Sequence, residues 1–333
     1  ADLTADEGEA SAFVIVSGSA AAAAEPAVES LVERLGGGAV AVWTEVVQHV
    51  PIELADRARA AVDAAAADVV VAIGGGSAIG LAKAIALTHR IAIVAVPTTY
   101  AGSEQTAIYG LTGDRHKQTG SDPVVLPTVV VYDPDLTLDL PPAVTGPSAF
   151  NALAHSVEAL YAPGHNPVTS LFALEGVRAI AVSLPAAMRD PADLDARATL
   201  LYGAFLSGKA LGATSTGLHH KICHVLGGTF NLVHADTHSV VLPHAVAFNA
   251  PELPGEMAEL ARALGVDGDP AGALWDLAVR SQVPTSLAAL GLARDDLGEA
   301  ATQAAAAITD NPRPFTADDI AGLLERAHAG TRP

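Results

Sequence analysis

The sequence predicts an α/β domain with a Rossmann-like parallel sheet, followed by an all-α domain. Short β-branched runs alternate with Ala-rich helical stretches in the first part of the chain, which is the spacing of βαβ units. One of these strands runs into a Gly-rich turn that opens a helix. Beyond the Pro-rich stretch Leu140 to Pro147, the apolar periodicity is helical to the end. We therefore expect a dinucleotide-binding domain over residues 1–146 and a helical domain over residues 147–333.

The elements of the first domain follow from the same alternation. The predicted strands are Ala12 to Ser17, Ala39 to Trp43, Val69 to Ile73, Ile91 to Val96 and Val129 to Tyr132. The predicted helices are Glu25 to Leu35, Pro51 to Ala66 and Ala78 to Leu87. The stretch from Gly113 to Asp122 is polar and is predicted to be a loop.

Composition narrows the class of function. The net charge of −19 and only 18 basic residues argue against binding to nucleic acid or to an anionic membrane surface, so a small-molecule substrate is favoured. We expect a cytoplasmic protein, because acidic residues precede the first apolar stretch and no run is long and apolar enough to span a membrane. The single cysteine, Cys223, excludes an intramolecular disulfide and fits a reducing compartment.

The Gly-rich turn is a candidate phosphate site. Gly74, Gly75, Gly76 and Ser77 lie where a predicted strand hands over to a helix. Glycine lets a ligand approach the main chain closely, and the N–H groups and dipole of a helix N-terminus favour an anion. The alternative is an ordinary βα turn without a ligand, since the turn is not the G-x-G-x-x-G fingerprint.

A second loop is expected at the same edge of the sheet. It follows the strand that ends at Val96 and carries Thr98, Thr99 and Ser103. Ligands of open α/β sheets bind beyond the carboxyl ends of the strands. Together with Ser17 at the end of the first strand, these hydroxyls are predicted to contact the cofactor, although a Thr/Ser turn without a ligand is the alternative for the loop alone.

Histidines concentrate in one region of the second domain. Residues 217–244 hold half of the chain's 12 histidines: His219, His220, His224, His234, His238 and His244. His220 and His224 lie four residues apart and share a helix face, and Gly227-Gly228 are expected to break that helix so that His234 returns to the same space. Asn151 and His155 form a similar pair upstream. The set predicts a functional pocket.

These motifs together resemble the iron-containing alcohol dehydrogenase family over nearly the whole chain. The resemblance implies the dehydroquinate synthase-like fold of that family. It also implies that the family's metal ligands, an Asp and three histidines, match Asn151, His155, His220 and His234. Because Asn151 replaces the only anionic ligand, Fe²⁺ affinity should fall substantially and we expect no metal, although three imidazoles alone can hold zinc.

Longer segments resemble the maleylacetate reductase branch: HHK at 219–221, CHVLGG at 223–228, HADTH at 234–238 and VVLPHAVAFNAP at 240–251. That branch implies NADH or NADPH as the cofactor, a homodimer, and reduction of the carbon–carbon double bond of maleylacetate to 3-oxoadipate in aromatic-compound degradation. Conjugate reduction places negative charge on the ketone oxygen, which a histidine can stabilise without a metal.

Roles follow for the candidate residues. Catalytic roles are expected for Asn151, His155, His220, His224 and His234, with His234 or His220 donating to the developing enolate. Lys117, Arg115 and His219 are expected to neutralise the substrate carboxylates. The branch usually has arginines where this chain has His116 and Ser121, which leaves the substrate open. The alternatives are a metal-dependent alcohol or aldehyde dehydrogenase, and a family member recruited to a biosynthetic pathway with a different, even non-redox, reaction.

Overall fold

The computed structural model describes residues 11–17, 26, 29–30, 33, 40–48, 50–113 and 116–333. The chain divides into two compact units, Ala1–Pro141 and Pro142–Pro333. The division falls at the start of the first helix of the second unit, a few residues before the boundary expected from sequence.

Unit 1 follows the predicted alternation. In chain order its elements are β1 (Ala12–Val16), β2 (Val40–Trp43), α1 (Ile52–Ala65), β3 (Val69–Gly74), α2 (Gly76–His89), β4 (Ala92–Pro97), β5 (Ile108–Gly113), β6 (His116–Ser121) and β7 (Val129–Val130). The predicted helix over 25–35 lies mostly outside the described residues, and its four described positions are helical.

Five of these strands form one parallel sheet in the order β2-β1-β3-β4-β7. Side chains alternate between its faces: Phe13 and Ile15 pack with α1 and α2, whereas Val14 and Val16 join a smaller cluster on the other face. The strand order reverses between β1 and β3. Such a switch point is where open α/β sheets bind their ligands, at the carboxyl ends of the strands.

The predicted loop over 113–122 is wrong. Strands β5 and β6 pair antiparallel, from Ile108 opposite Ser121 to Gly113 opposite His116. The sequence HKQTGS of β6 has no apolar alternation, so the periodicity on which strands were predicted carries no signal there. Main-chain hydrogen bonding in the ladder defines this strand instead.

Unit 2 is helical throughout. Its helices are α3 (Pro142–Ala159), α4 (Pro167–Arg189), α5 (Leu194–Ala213), α6 (Leu218–Phe230), α7 (His234–Asn249), α8 (Pro254–Leu264), α9 (Pro270–Arg280), α10 (Leu297–Ala307) and α11 (Ala317–Ala329). Among the described helices, α4 is the one long and apolar enough to cross a membrane, with a mean hydropathy of 1.5. It packs against α3 and α5, as a core helix of a soluble protein does.

Helix α6 has two faces that matter for the site. Leu218, Ile222 and Leu226 recur at the i, i+4 spacing and enter the core with α7 and α11. The intervening positions carry the histidines. The expected helix break at Gly227-Gly228 is wrong: α6 runs through both glycines, and Asn231 ends it in the left-handed conformation, with φ 55°.

Candidate active site

The predicted cofactor residues of unit 1 lie together at the switch point. Gly74 ends β3 with φ 157°, a conformation that favours glycine. A Cβ on Gly74 would lie 2.6 Å from Ser17 Oγ and 2.8 Å from Ala78 Cβ. The close approach of Ser17, at the end of β1, therefore requires glycine at this position.

The second loop rests against the Gly-rich turn. Thr98 N donates to Gly74 O at 3.0 Å. A Cβ on Gly75 would lie 2.9 Å from Thr99 Cγ2, and one on Gly76 would lie 3.9 Å from Ser103 Oγ. Turn and loop thus form two walls of one polar corner.

This corner has the chemistry of a phosphate site. Gly75 precedes α2 without a side-chain cap, which leaves the start of the helix available to a ligand. Ser103 Oγ is buried and has no hydrogen-bond partner among the described residues. An orphaned donor beside an uncapped helix fits the pyrophosphate of a dinucleotide.

Unit 2 gathers its histidines from three helices. Asn151 and His155 lie on α3, His220 and His224 on α6, and His234 on α7. The rings form a continuous set of contacts, with centroid separations of 5.1 Å for His155–His220, 6.3 Å for His220–His224 and 5.8 Å for His224–His234. His224 is exposed and His234 half-buried, so the cluster is open on that side.

A buried carboxylate orients His220. Glu158 Oε2 lies 2.6 Å from His220 Nδ1, and Glu158 Oε1 accepts from the main-chain N–H of His219 at 2.8 Å. His220 Nε2 is buried and has no hydrogen-bond partner among the described residues. A carboxylate on one ring nitrogen fixes the orientation of the other, so Nε2 is presented to the cluster.

Three imidazoles form a hydrogen-bonded chain. His219 Nε2 lies 2.7 Å from His238 Nδ1, and His238 Nε2 lies 3.0 Å from His234 Nε2. Burial, followed by neighbouring histidines, lowers the pKa of His219 and of His238 well below 6.5. These two rings are therefore neutral. One hydrogen bond joins His219 to His238, and another joins His238 to His234.

The donor set does not fit the family's divalent metal. Asn151 offers a neutral amide in place of the one anionic ligand, and His234 Nε2 is within hydrogen-bond distance of His238. A second group, His219, Cys223 and His238, brings its ligand atoms within 4.8 Å of one another and could hold a metal ion. Without a metal, burial raises the pKa of the Cys223 thiol, so binding of an ion to this group would release the thiol proton.

Not every predicted site residue has its expected surroundings. His219 is fully buried, and burial lowers its pKa well below 6.5; its expected role of neutralising a substrate carboxylate stays a prediction. Arg115 lies outside the described residues, as does the side chain of Lys117, whose main chain pairs with Thr112 on β5. His244 is buried on α7, and both of its ring nitrogens lack partners among the described residues.

Sequence analysis assigned no role to two residues that contact the histidine cluster, Glu158 and His238. Glu158 follows Asn151 and His155 on one face of α3 at the i, i+4, i+7 spacing, and this spacing was a usable signal. His238 lies four residues after His234 on α7, which places both rings on one face.

Comparisons with known proteins agree with this geometry. Residues 1–134 match the model for "Iron-containing alcohol dehydrogenase", and residues 145–328 match that for "Fe-containing alcohol dehydrogenase family, C-terminal". The chain belongs to this family of oxidoreductases, in the branch formed by the maleylacetate reductases. Both the resemblance and the fold class expected from sequence are confirmed.

Individual relatives support the branch. A maleylacetate reductase from Burkholderia cepacia is 54% identical over 90% of this chain and 85% of its own length. Another from Sphingobium indicum is 51% identical over 92% of this chain and 86% of its own. The crystal structure of maleylacetate reductase from Agrobacterium tumefaciens superposes with a TM-score of 0.91 at 45% identity, covering 97% of this chain and 91% of that one.

Proposed function

We propose that this chain reduces the carbon–carbon double bond of maleylacetate to give 3-oxoadipate, with NADH or NADPH as the hydride donor. One observation carries the proposal: His220, held by buried Glu158, presents Nε2 to a cluster whose anionic metal ligand is replaced by Asn151. The similarity to maleylacetate reductases supports the same substrate.

The residues divide into two tasks. Ser17, Gly74, Gly75, Gly76, Ser77, Thr98, Thr99 and Ser103 bind the cofactor. Of these, the uncapped start of α2 receives the pyrophosphate. The nicotinamide supplies the hydride when it is bound, and the histidines of unit 2 act on the substrate.

The proton chemistry falls to His220. Hydride addition to the alkene carbon moves the π electron pair onto the ketone oxygen as an enolate. When both ring nitrogens of His220 carry a proton, Nε2 transfers its proton to that oxygen to give the enol, while the Glu158 carboxylate pairs with the ring at Nδ1. The ketone forms when the carbon takes up a proton from water and the enol oxygen returns its proton to Nε2.

The other histidines line the same space. His155, stacked on His220, and Asn151 lie on α3, while His224 and His234 form the open side of the cluster. Lys117 and Arg115 bind the substrate carboxylates, since a dicarboxylate needs cationic partners. No step requires a metal.

The setting of the enzyme is also part of the proposal. It is a cytoplasmic homodimer that acts on a small molecule. Residues 1–146 bind the cofactor and supply Lys117 and Arg115 for the substrate carboxylates, while residues 147–333 supply the histidines that act on the substrate. These assignments follow the family, and size-exclusion chromatography with light scattering tests the dimer.

The direct test is nicotinamide oxidation, followed by absorbance, with maleylacetate as substrate and identification of 3-oxoadipate as product. Simple aldehydes serve as the comparison substrates. Turnover of maleylacetate but not of the aldehydes is expected. Turnover of aldehydes alone favours the metal-dependent alternative, and absence of binding to either nicotinamide favours the non-redox one.

A further inference from the structure

A buried ammonium lies behind the cofactor loop. Lys83 is on α2, two turns beyond the Gly-rich turn, and is 2% exposed. Its Nζ donates to the main-chain oxygens of Ser103 at 2.7 Å, Thr106 at 2.8 Å and Ile108 at 2.8 Å. Burial of a charge is tolerated only where its donors are satisfied, and here these three main-chain oxygens, together with Thr106 Oγ1 at 3.1 Å, satisfy the three N–H groups.

The same segment is anchored from its other side. Tyr132 OH donates to Glu104 Oε1 at 2.7 Å, and Gln105 Nε2 donates to Tyr132 OH at 2.9 Å. Glu104 is buried, and burial raises the pKa of its carboxyl; burial also lowers the pKa of Lys83, which the neighbouring Glu104 partly offsets. Residues 103–108 are therefore held between α2 and the segment that follows β7.

The loop that contains Thr99 and Ser103 lies next to the proposed cofactor site. Ser103 Oγ and Thr99 are the groups that stand against Gly76 and Gly75. Helix α2 begins at the Gly-rich turn, and Lys83 on α2 hydrogen-bonds to the loop. This one side chain therefore connects the two segments that form the proposed phosphate site. A shift of the loop would change the distance between these walls.

We propose that Lys83 is a positioning residue for the nicotinamide cofactor, holding the loop with Thr99 and Ser103 at its working distance from the Gly-rich turn. The inference rests on the cofactor site proposed above. Lys83 does not touch the cofactor and acts through the loop.

The test compares Lys83→Met with a matched control, Arg59→Met. Arg59 on α1 also donates to a main-chain oxygen of α2, that of Ala84, at 2.7 Å from Nη2 and 3.2 Å from Nε. These hydrogen bonds do not involve the loop. Dissociation constants for NADH and NADPH are measured by fluorescence titration. Thermal unfolding of each variant is recorded alongside.

Lys83→Met should weaken nicotinamide binding about tenfold or more, because hydrogen bonds from a charged donor are lost. The KM for the cofactor should rise with little change in kcat at saturation. Arg59→Met should lower the unfolding temperature but leave cofactor affinity unchanged. Equal weakening in both variants would mean a general loss of structure and would overturn the inference.

A second variant covers the case in which Lys83→Met does not fold. Thr106→Val keeps the side-chain shape and removes Oγ1, which accepts from Nζ at 3.1 Å and donates to Ser103 O at 3.1 Å. Binding should weaken about two- to fivefold, because both bonds hold Ser103 and Thr106 in place but neither touches the cofactor. If wild-type protein binds a nicotinamide and the variants bind equally well, the positioning role alone is overturned; if wild-type binds neither nicotinamide, the proposed function fails as well.

Discussion

Unit 1 and unit 2 both bury titratable side chains, and they satisfy them in different ways. Lys83 of unit 1 bonds to main-chain oxygens, and burial lowers its pKa to about 8. His219 and His238 of unit 2 bond to each other and are neutral. Under the proposed function the two arrangements serve two tasks: Lys83 shapes the main chain that binds a phosphate, whereas His220 Nε2, which has no hydrogen-bond partner among the described residues, serves proton transfer.

The largest expected effect is on the chemical step in unit 2. Replacing His220→Asn should lower kcat about 10²- to 10⁴-fold, the usual contribution of a general acid, while NADH affinity is unchanged. Steady-state kinetics and nucleotide titration measure the two quantities. A loss of cofactor affinity equal to the loss of kcat would contradict the claim that the histidines of unit 2 act on the substrate and not on the cofactor.

Removing the carboxylate that orients His220 should lower kcat less than replacing His220 itself. Glu158→Gln keeps the size of the side chain but takes away the carboxylate at His220 Nδ1, and kcat should fall about 10- to 100-fold, as for groups that orient a reactive imidazole. The pH profile of kcat should move in the variant. If rate and profile both match wild type, Glu158 has no part in the chemistry.

The corresponding experiment in unit 1 is Gly75→Ala. Gly75 has φ −81°, which alanine adopts freely, so the cost is the contact of the new Cβ with Thr99. Cofactor affinity should fall about tenfold through displacement of the loop, with little change in unfolding temperature. Isothermal titration with NADH measures the affinity. An unchanged value would show that cofactor binding does not require the Gly-rich turn and the Thr99 loop to lie this close together.

The smallest effect concerns stability in acid. Burial lowers the pKa of His244 from 6.5 to about 4, so the folded chain keeps this ring neutral where the unfolded chain binds a proton. The stabilisation is complete above pH 6.5 and is lost as the pH falls towards 4, by at most about 3 kcal/mol. Urea unfolding near neutral pH and at about pH 5 should show a smaller acid loss in His244→Phe than in wild type. Identical losses would exclude His244 as a source of acid sensitivity.

Elements with strong apolar periodicity could be predicted from the sequence, whereas features set by main-chain pairing or by burial could not. The parallel strands were found because β-branched runs alternate with Ala-rich helical stretches, but β6 was missed because its HKQTGS sequence pairs through the main chain. The site residues on one helix were found from i, i+4 spacing. Burial could not be read from spacing, so the sequence did not show that the His219 ring is buried and hydrogen-bonded to His238.

Contacts between helices were the hardest to foresee. The His220–Glu158 and His219–His238 pairs join residues distant in the chain, and their geometry depends on how α3, α6 and α7 pack. The helix end at Asn231 was likewise assigned to the neighbouring glycines, since glycine is the commoner residue in the left-handed conformation.

The central claim is that the histidine cluster performs the reduction without a metal. The most direct measurement is the rate of nicotinamide oxidation with maleylacetate in protein stripped of metal by a chelator, repeated after addition of Fe²⁺ or Zn²⁺. The account predicts full turnover in the stripped protein and no gain from either ion. Loss of turnover on stripping, restored by one of the ions, would contradict it.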